Sequence, residues 1–126
     1  MRALFDVVES IVESDEFHGC VFVNAAIEFP LPHDPAHEAS VCNRVAMVEM
    51  IHELAERAGA ADPLAMAEEL CLLMEGVYVA RQVTGRRDVV AIARRLGEDV
   101  IRRHLGMDEP LRVPVVAGTQ PPTRTA

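Results

Sequence analysis

One helix-start signal occurs twice in this chain, as Asp34-Pro35 and again as Asp62-Pro63. An aspartate ahead of a helix accepts from its first free N–H groups. Proline in the first turn gives up no bond there and brings a φ already suited to the helix. Each start has a matching stop, Gly59 and Gly85, the residue type that takes the left-handed turn closing a helix. Two long helices, about 35–58 and 63–84, are therefore expected in sequence. Ahead of the first, FPLPHDP at 29–35 carries three prolines and excludes both helix and central strand.

Periodicity adds two more helices. Residues 2–14 place Leu4, Phe5, Val8, Ile11 and Val12 on one side, with Asp6, Glu9, Ser10 and Glu13 on the other. Residues 88–105 carry Val89, Val90, Ile92, Ala93, Leu96, Gly97, Val100, Ile101 and His104 on a broad apolar side. The opposite side alternates Arg94, Arg95, Glu98, Asp99, Arg102 and Arg103, so Arg94–Glu98 and Asp99–Arg103 pairs are expected. Interleaved acids make those paired arginines a solvated, salt-bridged face rather than a nucleic-acid contact.

The stretch GCVFVNAAIEF at 19–29 is ambiguous. Val21-Phe22-Val23 suits a strand, whereas Ala25, Ala26 and Glu28 suit a helix. Helical neighbours decide for a fifth, short helix over 20–28. Val23, Ala26 and Ile27 then share a face, and Asn24 can bond to Glu28 or to a nearby backbone carbonyl. Gly19 serves as a close-approach joint.

Composition agrees with helix-on-helix packing. Half of the 126 residues are hydrophobic, only 4% are aromatic, and Trp is absent. That suffices for one core and one domain. Residues 1–76 hold fifteen acids against three Arg (−12), and residues 77–126 hold nine Arg against five acids (+4). An acidic body is repelled by phosphate backbones, so direct nucleic-acid binding is not expected. No membrane span or signal peptide is read, and the odd, widely spaced Cys20, Cys42 and Cys71 read as reduced thiols in a cytoplasmic protein.

The helix over 63–84 is apolar on two opposed sides. Leu70, Leu73, Met74 and Val77 form one, and Leu72, Gly76, Val79 and Val83 form the other. Such a helix needs two partners, its own core and a second copy of the chain. Glu75 and Arg81 are expected to pair near its end. His33, His37, Glu38 and Cys42 resemble a ligand set, but Pro35 separates the histidines, and they read as a loop and helix start with no metal. Cys20 reads as an inert thiol, with a redox role as the sharper alternative. No catalytic triad, phosphate loop or carboxylate pair emerges, so neither an enzyme nor a cofactor is expected.

The motif G-C-x-F-x-N-A-A-x-E-F, carried by Gly19, Cys20, Phe22, Asn24 and Glu28, follows an amphipathic helix. It precedes a Pro-rich loop and three helices, of which the two-faced one ends in VARQVTG. Over about 1–106 this resembles the C-terminal domain of the tetracycline-repressor-like (TetR) transcriptional regulators, with 107–126 a flexible tail. The resemblance implies an all-α, five-helix domain that pairs with a second subunit through a four-helix bundle. Leu72, Gly76, Val79, Val83, Ala93, Gly97, Val100 and Ile101 would face that bundle. It also implies a cavity for a small, mostly apolar effector, with Phe5, Phe22, Met47, Met50, Ile51, Met74 and Tyr78 as candidate lining. Family members begin with a helix-turn-helix head, and none precedes Met1 in this sequence. DNA would then be reached only indirectly, through a missing head or through a partner such as a full-length relative. Two other classes stay open: a thiol- or metal-responsive sensor, and a helical adaptor without a ligand.

Overall fold

A computed structural model describes residues 2–15 and 17–107. The tail expected over 107–126 lies, beyond Met107, outside the described residues. Five helices follow in order: α1 Arg2–Val12, α2 Val21–Glu28, α3 Pro35–Arg57, α4 Pro63–Thr84 and α5 Val89–His104. The expected all-helical, five-element architecture is the one observed, with ends within two residues of those read from sequence.

The start signals work as their chemistry requires. Asp34 Oδ1 accepts from Ala36 N at 2.9 Å, and Asp62 Oδ1 accepts from Ala65 N at 3.0 Å. Gly85 closes α4 at φ 70°, its N–H donating to Arg81 O. Asp88 departs from this pattern: it offers α5 no side-chain cap and instead forms an ion pair with Arg86.

The central element is α4, which packs on α1, α3 and α5. Its Met66, Ala67, Leu70, Cys71, Met74 and Val77 are buried together with Phe5, Val8 and Val12 of α1. Ile51 and Ala55 of α3 and Val90, Ala93 and Val100 of α5 complete the same core. α2 packs along α3 and meets α4 near Asn24.

Three arginines expected to pair along their own helices instead bind one helix to another. Arg94 reaches Asp6 and Glu9 on α1, both at 2.8 Å, in place of the expected Glu98. Arg103 reaches Glu69 on α4 at 2.8 Å, in place of Asp99. Arg81 does not meet Glu75. Its Nε donates to Val12 O at 3.2 Å, and its guanidinium lies over the Phe17 ring, 5.8 Å from the centroid. The last turn of α1 thus receives a cation at its C-terminal end, where the helix dipole favours one. Periodicity shows which residues share a face but not which neighbour lies opposite, hence these three corrections.

Candidate functional site

The α2 segment is a helix, and its register is set by Asn24. Asn24 Nδ2 donates to His18 O at 3.0 Å, and its Oδ1 lies 3.4 Å from Gln82 Nε2 on α4. The backbone carbonyl alternative therefore holds, and Glu28 is not the partner. Gly19 sits at φ 90°, where a Cβ would overlap Gln82 Oε1 and lie 2.7 Å from Gln82 Cδ. Only glycine fits this joint without strain. On the far side, Ser40 Oγ stands 2.8 Å from both the Phe22 carbonyl and the Ala36 carbonyl, tying α3 to α2.

α2 is therefore held against α3 and pinned to α4 only near Asn24. The space left between α2, α3 and α4 is a cavity of about 320 Å³. That volume lies at the small end of ligand pockets, roughly 300–1,000 Å³. Phe22, Val23 and Ala26 of α2 form one apolar wall, Val41, Val45 and Met47 of α3 a second, and Met74 of α4 the third. Val41 and Val45 remain half exposed, so the cavity is open on their side.

Polar groups are few and concentrated. Cys20, Ser40, Asn43, Arg44, Cys71, Glu75 and Tyr78 complete the lining. Arg44 is clamped, Nη2 to Glu68 Oε2 and Nε to Glu75 Oε1, both at 2.8 Å. Its Nη1 is buried and has no hydrogen-bond partner among the described residues. Burial pushes the Cys71 thiol up; Arg44 pulls the other way, while Glu75 and Glu68 add to the rise. A neutral thiol, not a thiolate, therefore stands beside Arg44. Burial also raises the Tyr78 phenol, with Cys20 adding to it. The Tyr78 ring stacks on Phe17 with centroids 5.9 Å apart.

Of the seven residues expected to line a cavity, Phe22, Met47, Met74 and Tyr78 do so. The other three lie elsewhere. Phe5 and Ile51 are fully buried in the α1–α3–α4–α5 core, and Met50 is half exposed outside the cavity. Ile27 turns outward at 73% exposure. Arg44 and Cys71 were not singled out for the cavity. The i, i+3, i+7 spacing of Cys71, Met74 and Tyr78 carries the signal for the thiol, whereas nothing local to Arg44 marks it.

The second surface also needs correction. Leu72, Gly76, Val79 and Val83 are exposed along α4, as a partner-facing strip would be. Ala93, Gly97 and Val100 of α5 instead point into their own core. A Cβ at Gly97 would overlap Phe5 Cζ and come within 2.6 Å of Cε2. Ile101 is half buried against the same core. The exposed large apolar residues of α5 are Ile92 and Leu96, one turn apart, and Leu96 borders a groove of about 330 Å³ shared with Leu72 and Leu73.

His37 Nδ1 sits 3.0 Å from the Phe29 carbonyl, fixing the Pro-rich loop to α3. Among the described residues no three His, Cys, Asp or Glu side chains gather as metal ligands. The thiols of Cys20, Cys42 and Cys71 are free. No helix among the described residues is long and apolar enough to cross a membrane.

Comparison with known proteins converges on one group. Residues 1–96 match the family model described as tetracyclin repressor-like, C-terminal domain. The HTH-type transcriptional regulator YjdC of Escherichia coli (strain K12) is 28% identical over 102 residues, covering 81% of this chain and 53% of the relative. YjdC of Shigella flexneri matches equally. The crystal structure of SCO4454, a TetR-family transcriptional regulator from Streptomyces coelicolor, superposes with a TM-score of 0.78 at 28% identity. That match covers 82% of this chain and 55% of the other. The chain thus spans about half the length of the relatives it matches. Through this C-terminal domain, the chain belongs to the TetR family of transcriptional regulators.

Proposed function

We propose that this chain is the effector-binding and dimerising part of a TetR-like regulator working in the cytoplasm. One observation carries the reading: α4 lines an open cavity with Cys71, Met74 and Tyr78 and presents Leu72, Gly76, Val79 and Val83 to solvent. A helix built this way couples a ligand on one side to a partner on the other. The cavity takes a small, mostly apolar effector, and a ligand-free adaptor would have no use for it. The outer strip, with Ile92 and Leu96, takes a second copy of this chain or the same face of a full-length relative. Burial of such side chains is worth roughly 1.5–3 kcal/mol each, and Val83, 77% exposed, has most of that still to gain. Nothing in the reading requires a chemical step or a cofactor.

The mechanism is a population shift. An effector that fits one spacing of α2, α3 and α4 better than another favours that spacing, by no more than its difference in affinity. Residues outside this domain, or those of a partner, would read the DNA.

Gly76→Arg tests the reading. A Cβ at Gly76 meets nothing within 4 Å, so the folded chain has room for the longer side chain. The wild type should sediment as a dimer and Gly76→Arg as a folded monomer. A wild type that stays monomeric at its highest attainable concentration overturns the partner-facing strip.

A further inference from the structure

We propose that the cavity between α2, α3 and α4 selects uncharged, flat aromatic molecules of about two fused rings, through the Met47 and Met74 thioethers and the Phe22 and Tyr78 rings. The proposal rests on the effector reading above and narrows it to a ligand class.

Size sets the first term. A closed apolar cavity of about 150 Å³ takes up a single benzene ring. The cavity here holds about 320 Å³ and is open along Val41 and Val45, which is room for two fused rings.

The chemistry of the walls sets the second. Rings are scarce in this chain, with four Phe, one Tyr and no Trp, and there are six Met. Phe22, Met47, Met74 and Tyr78 nevertheless come together on one lining, from three different helices. Leu and Ile, which would serve as well for bulk alone, are absent from that lining among the described residues. A polarisable thioether gains more from the edge of an aromatic ring than from an alkyl surface of equal area. Ring pairs add offset and edge-to-face contacts that a saturated skeleton does not make. Phe17 occupies one face of the Tyr78 ring, 5.9 Å away between centroids, so a ligand meets the edge or the other face.

Charge sets the third. Arg44 and Glu75 are the charged residues of the lining among the described residues, and they pair with each other at 2.8 Å. A ligand's carboxylate or ammonium would give up its water against apolar walls with both of these groups already engaged.

The wild-type chain is titrated calorimetrically with 2-naphthol, decahydro-2-naphthol and 2-naphthoate, with thermal melting as a second readout. The two alcohols share a carbon skeleton and a hydroxyl, so their apolar burial is nearly matched and the ring electrons make the difference. 2-Naphthol should bind about tenfold more tightly than either of the other probes. Met47→Leu combined with Met74→Leu conserves side-chain volume and removes both sulfurs. That double variant should cut the preference for 2-naphthol over decahydro-2-naphthol to about threefold or less. Equal or tighter binding by decahydro-2-naphthol, tightest binding by 2-naphthoate, or a preference unchanged in the double variant overturns the proposal and leaves the effector reading standing. If the double variant does not fold, Met47→Leu alone, at the less buried of the two sites, makes the comparison. Neither heat nor a melting shift with any of the three probes overturns both the proposal and the effector reading.

Discussion

Gly97 and Phe5 offer the sharpest test of how α5 is oriented. A methyl group added at Gly97 would overlap Phe5 Cζ and stand 2.6 Å from Cε2 and 3.0 Å from Cε1. Favourable carbon contacts begin near 3.5 Å, and Phe5 is 2% exposed, so its ring has no free volume into which to swing. Overpacking of this kind costs about 1–3 kcal/mol, and the overlap places it at the upper end. Replacing a helix-interior glycine by alanine returns up to about 1 kcal/mol. Gly97→Ala should therefore lose about 2 kcal/mol net, or roughly 6–12 °C in Tm for a chain of this size. Phe5→Leu alone should cost about 1–2 kcal/mol as a partial truncation. Leucine lacks the ring carbons that clash, so the double variant should be scarcely less stable than Phe5→Leu. The coupling energy should be about 1–2 kcal/mol. Urea unfolding at several protein concentrations separates this loss from any contribution of dimerisation. Stabilisation by Gly97→Ala, or additivity in the double variant, would refute the packing of Gly97 on Phe5. The same geometry makes Gly97→Arg an assault on the chain's own core rather than a clean route to monomers.

Two further outcomes follow from the left-handed joint and the buried thiol. Gly19→Ala should cost about 1–2 kcal/mol from its φ of 90°. Gln82→Ala in the same chain should relieve the overlap but recover only a minor part in urea unfolding; full recovery would show that the backbone conformation is not what matters. The Cys71 thiol is raised in the folded chain above its ordinary value of 9.0. Its contribution to stability is therefore complete below that value and is lost as pH rises through the folded value. Unfolding free energy measured from pH 8 upward should fall, and Cys71→Val should flatten the early part of that fall; an unchanged slope would disprove the role of the thiol. Tyr78, raised above 10.0, adds a later loss of the same sign.

The helices were legible because their punctuation is local. Asp34-Pro35, Asp62-Pro63 and Gly85 act within one turn of themselves, and the structure places each where that chemistry puts it. Part of the cavity was legible for a related reason: Met74 and Tyr78 stand one turn apart on α4, and Phe22 stands on the one stretch already marked as unusual. What escaped were pairings across helices. Arg44 looks like any solvent-facing arginine until Glu68 and Glu75 of α4 are set beside it. Phe5 reads as a generic apolar anchor until Gly97 is seen to make room for its ring. The broad apolar side of α5 announced two partners without saying which residues meet which. Ala93, Gly97 and Val100 go inward, and Ile92 and Leu96 stay out, because α1 is pinned to α5 through Arg94.

The same pins define how a ligand in the cavity could be felt elsewhere. Tyr78 lines the cavity and stacks on Phe17, and Phe17 lies beneath the Arg81 guanidinium. Arg81 in turn holds the last turn of α1 at Val12 O, while Arg87 holds the next carbonyl, Glu13 O, at 3.1 Å. A ligand that displaces the Tyr78 ring must therefore either break the ring stack or carry Phe17 and Arg81 with it. Close-packed contacts of this kind hold discrete arrangements and do not deform continuously. The outer strip rides on the same rigid helix, because Val79 and Val83 follow Tyr78 along α4. Cavity, α1 and exposed apolar strip thus meet on one element, and a small displacement of α4 is the least motion that changes all three.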